Sequence, residues 1–297
     1  MRKPVKAEAM TDMLISGQAI ETETVPQPGS APTPRKYGAF NTLGLMTLLK
    51  REIGRYIKVA TQTIFAPVVS TVLFMIVFKL AYPARADFGW DGVAVSFNDF
   101  IAPGLVMMAI LNNSFQNTSS SLTIAKVNGT QVDFLMPPLT PLELTIGFVV
   151  GACTRGLIVA FITALVIHIT GLASMSVVNF LPIAYFGIMA AITLSAIGAM
   201  GGIWADKFDH LAAVSQFVIL PLTFLSGTFY RIEALAEPFE SLTHGNPMFY
   251  LIDGFRYGFI GVADSNITIG VFLCGGFALA CCFGVWLMFR TGYKLKA

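Results

Sequence analysis

The chain has 297 residues, 55% of them hydrophobic and only 12% charged, with a formal net charge of +2 and a mean hydropathy of +0.70. An ordinary soluble domain carries about 25% charged residues, so the composition excludes one, and the near-neutral balance implies no nucleic-acid partner. The apolar residues are pooled into long runs, which places the chain in a membrane: a span takes roughly 20 apolar residues.

Residues 1–40 are polar and rich in Pro, Thr and Ala (TVPQPGSAPTPR), with no apolar stretch able to act as a signal peptide. The expectation is a disordered cytoplasmic tail. Residues 43–59 then form an amphipathic helix, with Leu45, Leu49, Ile53, Tyr56 and Ile57 on one face and Arg51, Arg55 and Lys58 on another. That is the profile of a helix lying in the membrane interface; a plain basic flank before the first span has the same pattern.

Six transmembrane helices are expected, near 62–81, 99–119, 144–170, 180–204, 211–230 and 267–289, giving an all-α membrane fold. Lys and Arg set the orientation. Lys50, Arg51, Arg55, Lys58, Lys126, Lys207, Arg290, Lys294 and Lys296 fall on one side; Lys79, Arg85, Arg231 and Arg256 fall on the other, diluted by acids. Both termini are therefore expected in the cytoplasm. The four cysteines (Cys153, Cys274, Cys281, Cys282) sit inside apolar runs and suggest no disulfide framework.

In the second span Asn112, Asn113, Gln116, Asn117 and Ser120 form one polar stripe. Amides at membrane depth need partners or water. The stripe fits an interhelical hydrogen-bond seam, and equally a face lining a substrate path. The loop that follows, NGTQVDFLMPPLTPLELTIG (128–147), is the sizeable polar, proline-broken segment of this half. Thr130 and Asp133 have the spacing of a capping box opening a short helix over 130–136. Pro137, Pro138 and Pro141 would stop it. Thr140, Pro141 and Glu143 then open the third span as cap, first position and first-turn acid. A rigid lever and an ordinary loop both fit this pattern.

Arg155 falls near mid-depth of the third span, where a charge must face protein or a wet cavity; a structural pairing and a substrate contact are both open. His168 is expected at the interface. Small residues recur every fourth position in three rows: Ala152, Gly156, Ala160, Ala164; Gly187, Ala191, Ser195, Ala199; and Gly276, Ala280, Gly284. Such rows let helix backbones approach closely in lipid. In the last outer loop, Pro247 can open a helix carrying Phe249, Asp253 and Arg256, with Ile252, Phe255, Phe259 and Ile260 as its apolar face. A re-entrant helix hairpin before the last span fits this segment better than a free loop.

No phosphate-cradling G-x-x-x-x-G-K-[ST], no H-E-x-x-H and no metal-spaced cysteine pair occurs, so neither enzymatic chemistry nor a bound cofactor or metal is expected. Acids are absent from the span interiors, which weighs against an ion-coupled carrier.

Two stretches carry a family likeness. Gly129-Thr130-x-x-Asp133-x-Leu135-x-x-Pro138-x-Thr140-x-x-Glu143, and Asn246-Pro247 followed by Asp253-Gly-Phe-Arg256-Tyr-Gly, resemble the ABC-2 type transporter permease family over roughly residues 40–297. The resemblance implies the membrane subunit of an ATP-driven exporter in a bacterial inner membrane. It implies two permease copies, here a homodimer, with two separate ATPase subunits that hold the ATP and Mg. It places Thr130, Gln131, Asp133 and Phe134 in a cytoplasmic coupling helix, with the 43–59 helix as a second ATPase contact. Asn113, Gln116, Asn117 and Arg155 would lie on the translocation path, spans two and five lining it. Pro247, Phe249, Asp253 and Arg256 would form an outer gate. An amphipathic drug, lipid or glycan is the implied cargo. A self-sufficient carrier or channel, and a membrane scaffold, are the competing classes.

Overall fold

The computed structural model describes residues 40–81, 87–90, 93–232, 236 and 239–295. The tail expected to be disordered lies outside these, apart from Phe40.

Helix α1 (Thr42–Ile57) opens on Asn41, whose side chain accepts from Gly44 N at 3.0 Å. Its buried row is Leu48, Glu52 and Tyr56, rotated from the face the apolar pattern indicates. Ile57, on the apolar face expected to meet the membrane interface, is 54% exposed. The rotation follows from the neighbour. An added Cβ on Gly147 would stand 2.4 Å from Leu48 Cδ2, and one on Gly151 2.8 Å from Glu52 Cβ, so two glycines a helical turn apart form the groove that seats α1.

A π turn (Thr61–Phe65) leads into α2 (Ala66–Ala81), which buries only Val68 and Met75. Strands β1 (Asp87–Trp90) and β2 (Val93–Ser96) pair antiparallel, with Asp87 opposite Ser96 and Trp90 opposite Val93. This hairpin is an addition to the expected all-helical chain; the intervening Asp91-Gly92 pair was its sequence signal.

The long α3 (Phe97–Val127) is the element the others pack around, with α5 (Pro141–Ile169) and α6 (Phe180–Trp204) on it. Gly156 of the first small-residue row makes this possible, together with Gly198 and Gly202, which lie outside the rows. A Cβ on Gly156 would fall 2.0 Å from Ser114 Oγ, one on Gly198 2.4 Å from Phe115 O, and one on Gly202 2.9 Å from Ser119 O. Thr118 Oγ1 donates to Ser195 O at 2.8 Å across the same seam. The third row behaves differently. Helix α11 (Ile267–Thr291) turns Cys274, Ala278, Cys281 and Val285 inward, while Gly276 and Ala280 are exposed and nothing lies within 4 Å of a Cβ on Gly276. Only Gly284 of that row meets a neighbour closely, Met200 Sδ at 3.0 Å.

Between α6 and α11 the chain forms α7 (Phe208–Val214), a second π turn (Ser215–Ile219) and α8 (Leu220–Phe224), a continuous helix of 17 residues. The expected fifth span over 211–230 stops at 224, because residues 225–229 turn away through Gly227 at φ +70. Then come α9 (Phe239–His244) and α10 (Pro247–Ile260). Among the described residues, four helices are long and apolar enough to cross a membrane: 61–81, α5, α6 and α11.

Two ends can be recognised from contacts. At one, Asp206 bonds both Lys126 Nζ (2.7 Å) and Lys294 Nζ (3.0 Å), joining the C-terminal ends of α3, α6 and α11. Those hydrogen bonds, Lys126 first, hold the Asp206 carboxyl down at about 2. At the other, Lys79 Nζ donates to Gly171 O at 2.6 Å and Ser174 N to Asp99 Oδ1 at 2.7 Å. His168, at that end, contacts Ser174 O through Nδ1 at 2.9 Å.

Candidate coupling loop, polar clefts and hairpin

The segment between α3 and α5 holds a single helical turn, α4 (Val132–Leu135). The anticipated box at Thr130 and Asp133 does not form: Gln131 takes the cap position with helical dihedrals and no side-chain bond, and Thr130 Oγ1 turns back to Ala125 O at 3.5 Å. The N–H a Thr130 cap would take is already used, since Asp133 N donates to Thr130 O at 3.1 Å. Of the expected coupling residues, Thr130 and Asp133 are exposed and Gln131 half-buried, whereas Phe134 is only 2% exposed. Its ring meets Phe148 edge-on at 5.2 Å, Phe148 stacks on Phe289 at 5.9 Å, and the Arg51 guanidinium lies 5.8 Å from the Phe134 centroid. Phe134 is thus the loop's anchor. Val132 (47%), Leu135 (39%) and Met136 (80%) face outward beside it.

The second start forms as the spacing predicts. Thr140 and Glu143 make a complete capping box with Pro141 in the first turn. Glu143 is fully buried, accepts from Thr140 N (2.6 Å) and Thr140 Oγ1 (2.8 Å) on Oε2, and takes Asn41 N on Oε1. Asn41 Nδ2 also reaches Pro138 O at 3.3 Å. One carboxylate therefore ties the start of α1 to the start of α5. Composition and periodicity gave no signal for that link.

The polar stripe is met from two sides. Arg55 Nη2 donates to Asn117 O (2.6 Å) and Asn117 Oδ1 (3.0 Å), and Nη1 to Ser120 Oγ (3.2 Å). Glu52 stands 3.5 Å from Arg55 and accepts from Ser121 Oγ at 2.8 Å. Arg155 Nη2 donates to Asn113 Oδ1 at 3.1 Å. Asn113, Asn117 and Arg155 thus belong to a buried seam, with Arg55 and Glu52 as members that an amphipathic reading of 43–59 places elsewhere. The signal for Glu52 was an acid midway between Leu48 and Tyr56. Asn112 and Gln116 look outward, and Asn113 also borders the cleft they front. That cleft, of about 410 Å³, lies against Gln62, Pro67 and Phe224, and Gln116 also borders a second of about 330 Å³ that includes Arg155, Ser215 and Gln216.

The segment expected as an outer gate is stapled to its surroundings. Asn246 caps α10 through Met248 N (3.0 Å), and its Nδ2 donates to Leu222 O and Ser226 Oγ, each at 2.9 Å. Pro247 occupies the first helical turn. Phe249, 1% exposed, packs edge-on to His244. Asp253 accepts from Asp264 N (3.0 Å), Ser265 N (2.8 Å) and Ser265 Oγ (2.6 Å), closing the turn into α11. Arg256 Nη2 donates to Gly227 O at 2.6 Å, and its guanidinium lies 4.0 Å from the Phe100 centroid. Burial, and next the Asp253 charge, raise the Asp264 pKa, against Arg256 and Arg231. Gly254 lets the Phe186 ring in: a Cβ there would fall 2.3 Å from it. Among the described residues, no group of three His, Cys, Asp or Glu side chains could hold a metal.

The sequence is similar to those of known proteins. The model of the ABC-2 type transporter family matches residues 44–260. The chain is 31% identical over 258 residues to the inner membrane transport permease YadH of Escherichia coli K12, covering 86% of this chain and 98% of that one. It is 24% identical over 231 residues to nodulation protein J of Neorhizobium galegae, covering 76% and 85%. A more distant nodulation protein J, from Rhizobium leguminosarum, is 22% identical over 185 residues, 61% of this chain and 69% of that one. A family match of that extent, over a helical chain with four membrane-length apolar helices, means that this protein belongs to the ABC-2 type transporter family and is a membrane transport permease, a transport component and not a catalyst.

Proposed function

We propose that the chain is the permease of an ATP-driven exporter in a bacterial inner membrane, two copies working as a homodimer with two ABC ATPase subunits that bind the ATP and Mg. Six crossings are counted here, with α3 and 208–224 joining the four apolar helices. The nine-cation side, with both termini, faces the cytoplasm. The 128–140 loop then lies on that side and receives the ATPase stroke. The observation that carries this reading is the loop's two-sidedness. Phe134 is wedged against Phe148 and so against Phe289, while Val132, Leu135 and Met136 offer an apolar face to a partner. A push on that face reaches α5 and α11 without slack. Asp133 and Thr130 form the polar rim, and α1 is the second contact.

The clefts fronted by Gln116, between α3, the π turns and α8, line the path for an amphipathic drug, lipid or glycan. Hairpin α9–α10 closes its outer mouth by holding the end of span five. In proteoliposomes with the cognate ATPase, Pro137→Ala with Pro138→Ala should keep ATP hydrolysis and lose most coupled transport, because the stop after α4 softens. Unchanged coupled transport would refute the lever.

A further inference from the structure

We infer that the cleft around Arg155 is a binding site for an anionic oxyanion group of the phosphate or phosphodiester kind, carried by the transported molecule. This rests on the permease reading above and adds the chemistry of its cargo. Arg155 sits midway along the 29 residues of α5 and is 6% exposed. It has one neutral acceptor, Asn113 Oδ1 at 3.1 Å, and its Nε has no hydrogen-bond partner. Among the described residues no carboxylate lies within salt-bridge distance of it, whereas Arg55 has Glu52 at 3.5 Å. A buried cation held by one amide oxygen is an incomplete arrangement, since burying a charge is costly until an opposite charge joins it.

The surroundings supply the rest of such a site. Arg155 opens on the cleft of about 330 Å³, whose other polar side chains are Gln116, Ser119, Ser120, Ser215 and Gln216. None is acidic; the Ser119 and Ser120 hydroxyls already donate to the carbonyls of Gln116 and Asn117, while Gln116, Ser215 and Gln216 can donate into the cleft. Donors grouped around one fixed guanidinium match the oxygens of a phosphate, and an arginine fork engages two of them at once. Arg55, bonded to Ser120 Oγ at 3.2 Å, is already paired with Glu52 at 3.5 Å, so Arg155 is the uncompensated cation of the cleft lining. Phe115, Phe208 and Leu211 complete the wall, so an acyl or other apolar portion of the same molecule has a surface to follow.

The test uses the full chain, without its ATPase, in phosphatidylcholine nanodiscs. Dioctanoyl-phosphatidic acid, dioctanoyl-phosphatidylcholine and inorganic phosphate are titrated, with binding read by calorimetry and native mass spectrometry. Saturable phosphatidic acid binding is expected, weakened about tenfold or more in Arg155→Gln and to a lesser degree in Arg155→Lys, which keeps the charge and loses the fork. Asn113→Asp sets a carboxylate against Nη2 and neutralises Arg155 in place; binding should fall as far as in Arg155→Gln, with the thermal midpoint unchanged or raised. Competition by inorganic phosphate alone assigns the group to a soluble phosphorylated molecule, and a need for the acyl chains assigns it to a lipid head. Both outcomes support the site. No saturable binding of either phosphate compound, or equal binding by wild type, Arg155→Gln and Asn113→Asp, overturns it. The permease reading would survive that result, because coupled transport is measured separately.

Discussion

Replacing Glu143 by Gln removes a charge and keeps the shape, so its consequences can be worked from the bonds. The carboxylate is fully buried and faces three donors: Thr140 N and Oγ1 on Oε2, and Asn41 N on Oε1. A carboxamide has one oxygen. It stays with Thr140, where two donors face it, and the NH₂ then points at Asn41 N. A hydrogen bond to a charged group contributes about 1.5–3 kcal/mol, so the start of α1 should open roughly 10- to 150-fold more often. Amide exchange read by mass spectrometry on the purified chain should speed up in peptides covering 41–48 and much less in those covering α6. Unchanged exchange at 41–48 would show that α1 is held by Leu48 and Tyr56 alone and that the carboxylate link does not matter.

Phe134→Ala should cost about 3–5 kcal/mol locally, as for other buried aromatics, and appear as faster protease cleavage within 128–140 while the spans resist. The Asp206 link has a depressed folded-state pKa of about 2, so its contribution is present above the ordinary value of 3.8 and lost as pH falls through about 2. The gap in thermal midpoint between wild type and Asp206→Asn should stay flat down to the first value and close by the second, and salt should narrow it at neutral pH. Asp253→Asn should destabilise the turn into α11 by about 1.5–3 kcal/mol, since one of its two accepting oxygens becomes a donor. Asp264→Asn should be neutral or stabilising by the same thermal assay at neutral pH. Burial raises the Asp264 pKa, so its favourable contribution is confined to low pH and lost as pH rises through the raised value.

Four apolar helices and the helix start at Thr140, Pro141 and Glu143 were legible because each leaves a local mark: a long run, or a fixed spacing. The extent of α3 was not. It continues to Val127, past the expected end at 119, through a Ser, Thr and Asn run that no hydropathy window favours. Tertiary bonds sustain it there, from Arg55 to Asn117 and Ser120, and from Thr118 to Ser195 O. The face that α1 turns to the bundle left no mark for a related reason. The helix's apolar count favours one face, but the groove made by Gly147 and Gly151 lies under another, and Glu52 can go in because Ser121 and Arg55 meet it. Position within span five was misjudged where residues far along the chain, Asn246 and Arg256, take the carbonyls of 222 and 227. Partners that distant leave no trace in a sequence window.

Four buried residues of the motifs that made the family recognisable share a physical property: they are spent on the protein's own backbone. Asn246 and Arg256 bond carbonyls at the end of 208–224, Asp253 bonds the amides of 264 and 265, and Glu143 bonds those of 140 and 41. A buried group already occupied in this way cannot bond a passing substrate without leaving a backbone group unpaired, which costs about 1–3 kcal/mol each time. Substrate choice must then fall to polar side chains that keep free valence and face a cleft. Gln116, Ser215, Gln216 and the unfilled Nε of Arg155 are of that kind, and all four lie outside the two motifs. On this reasoning, exchanging motif residues between permeases of different cargo should change stability and coupling but not selectivity, and exchanging the cleft residues should do the reverse.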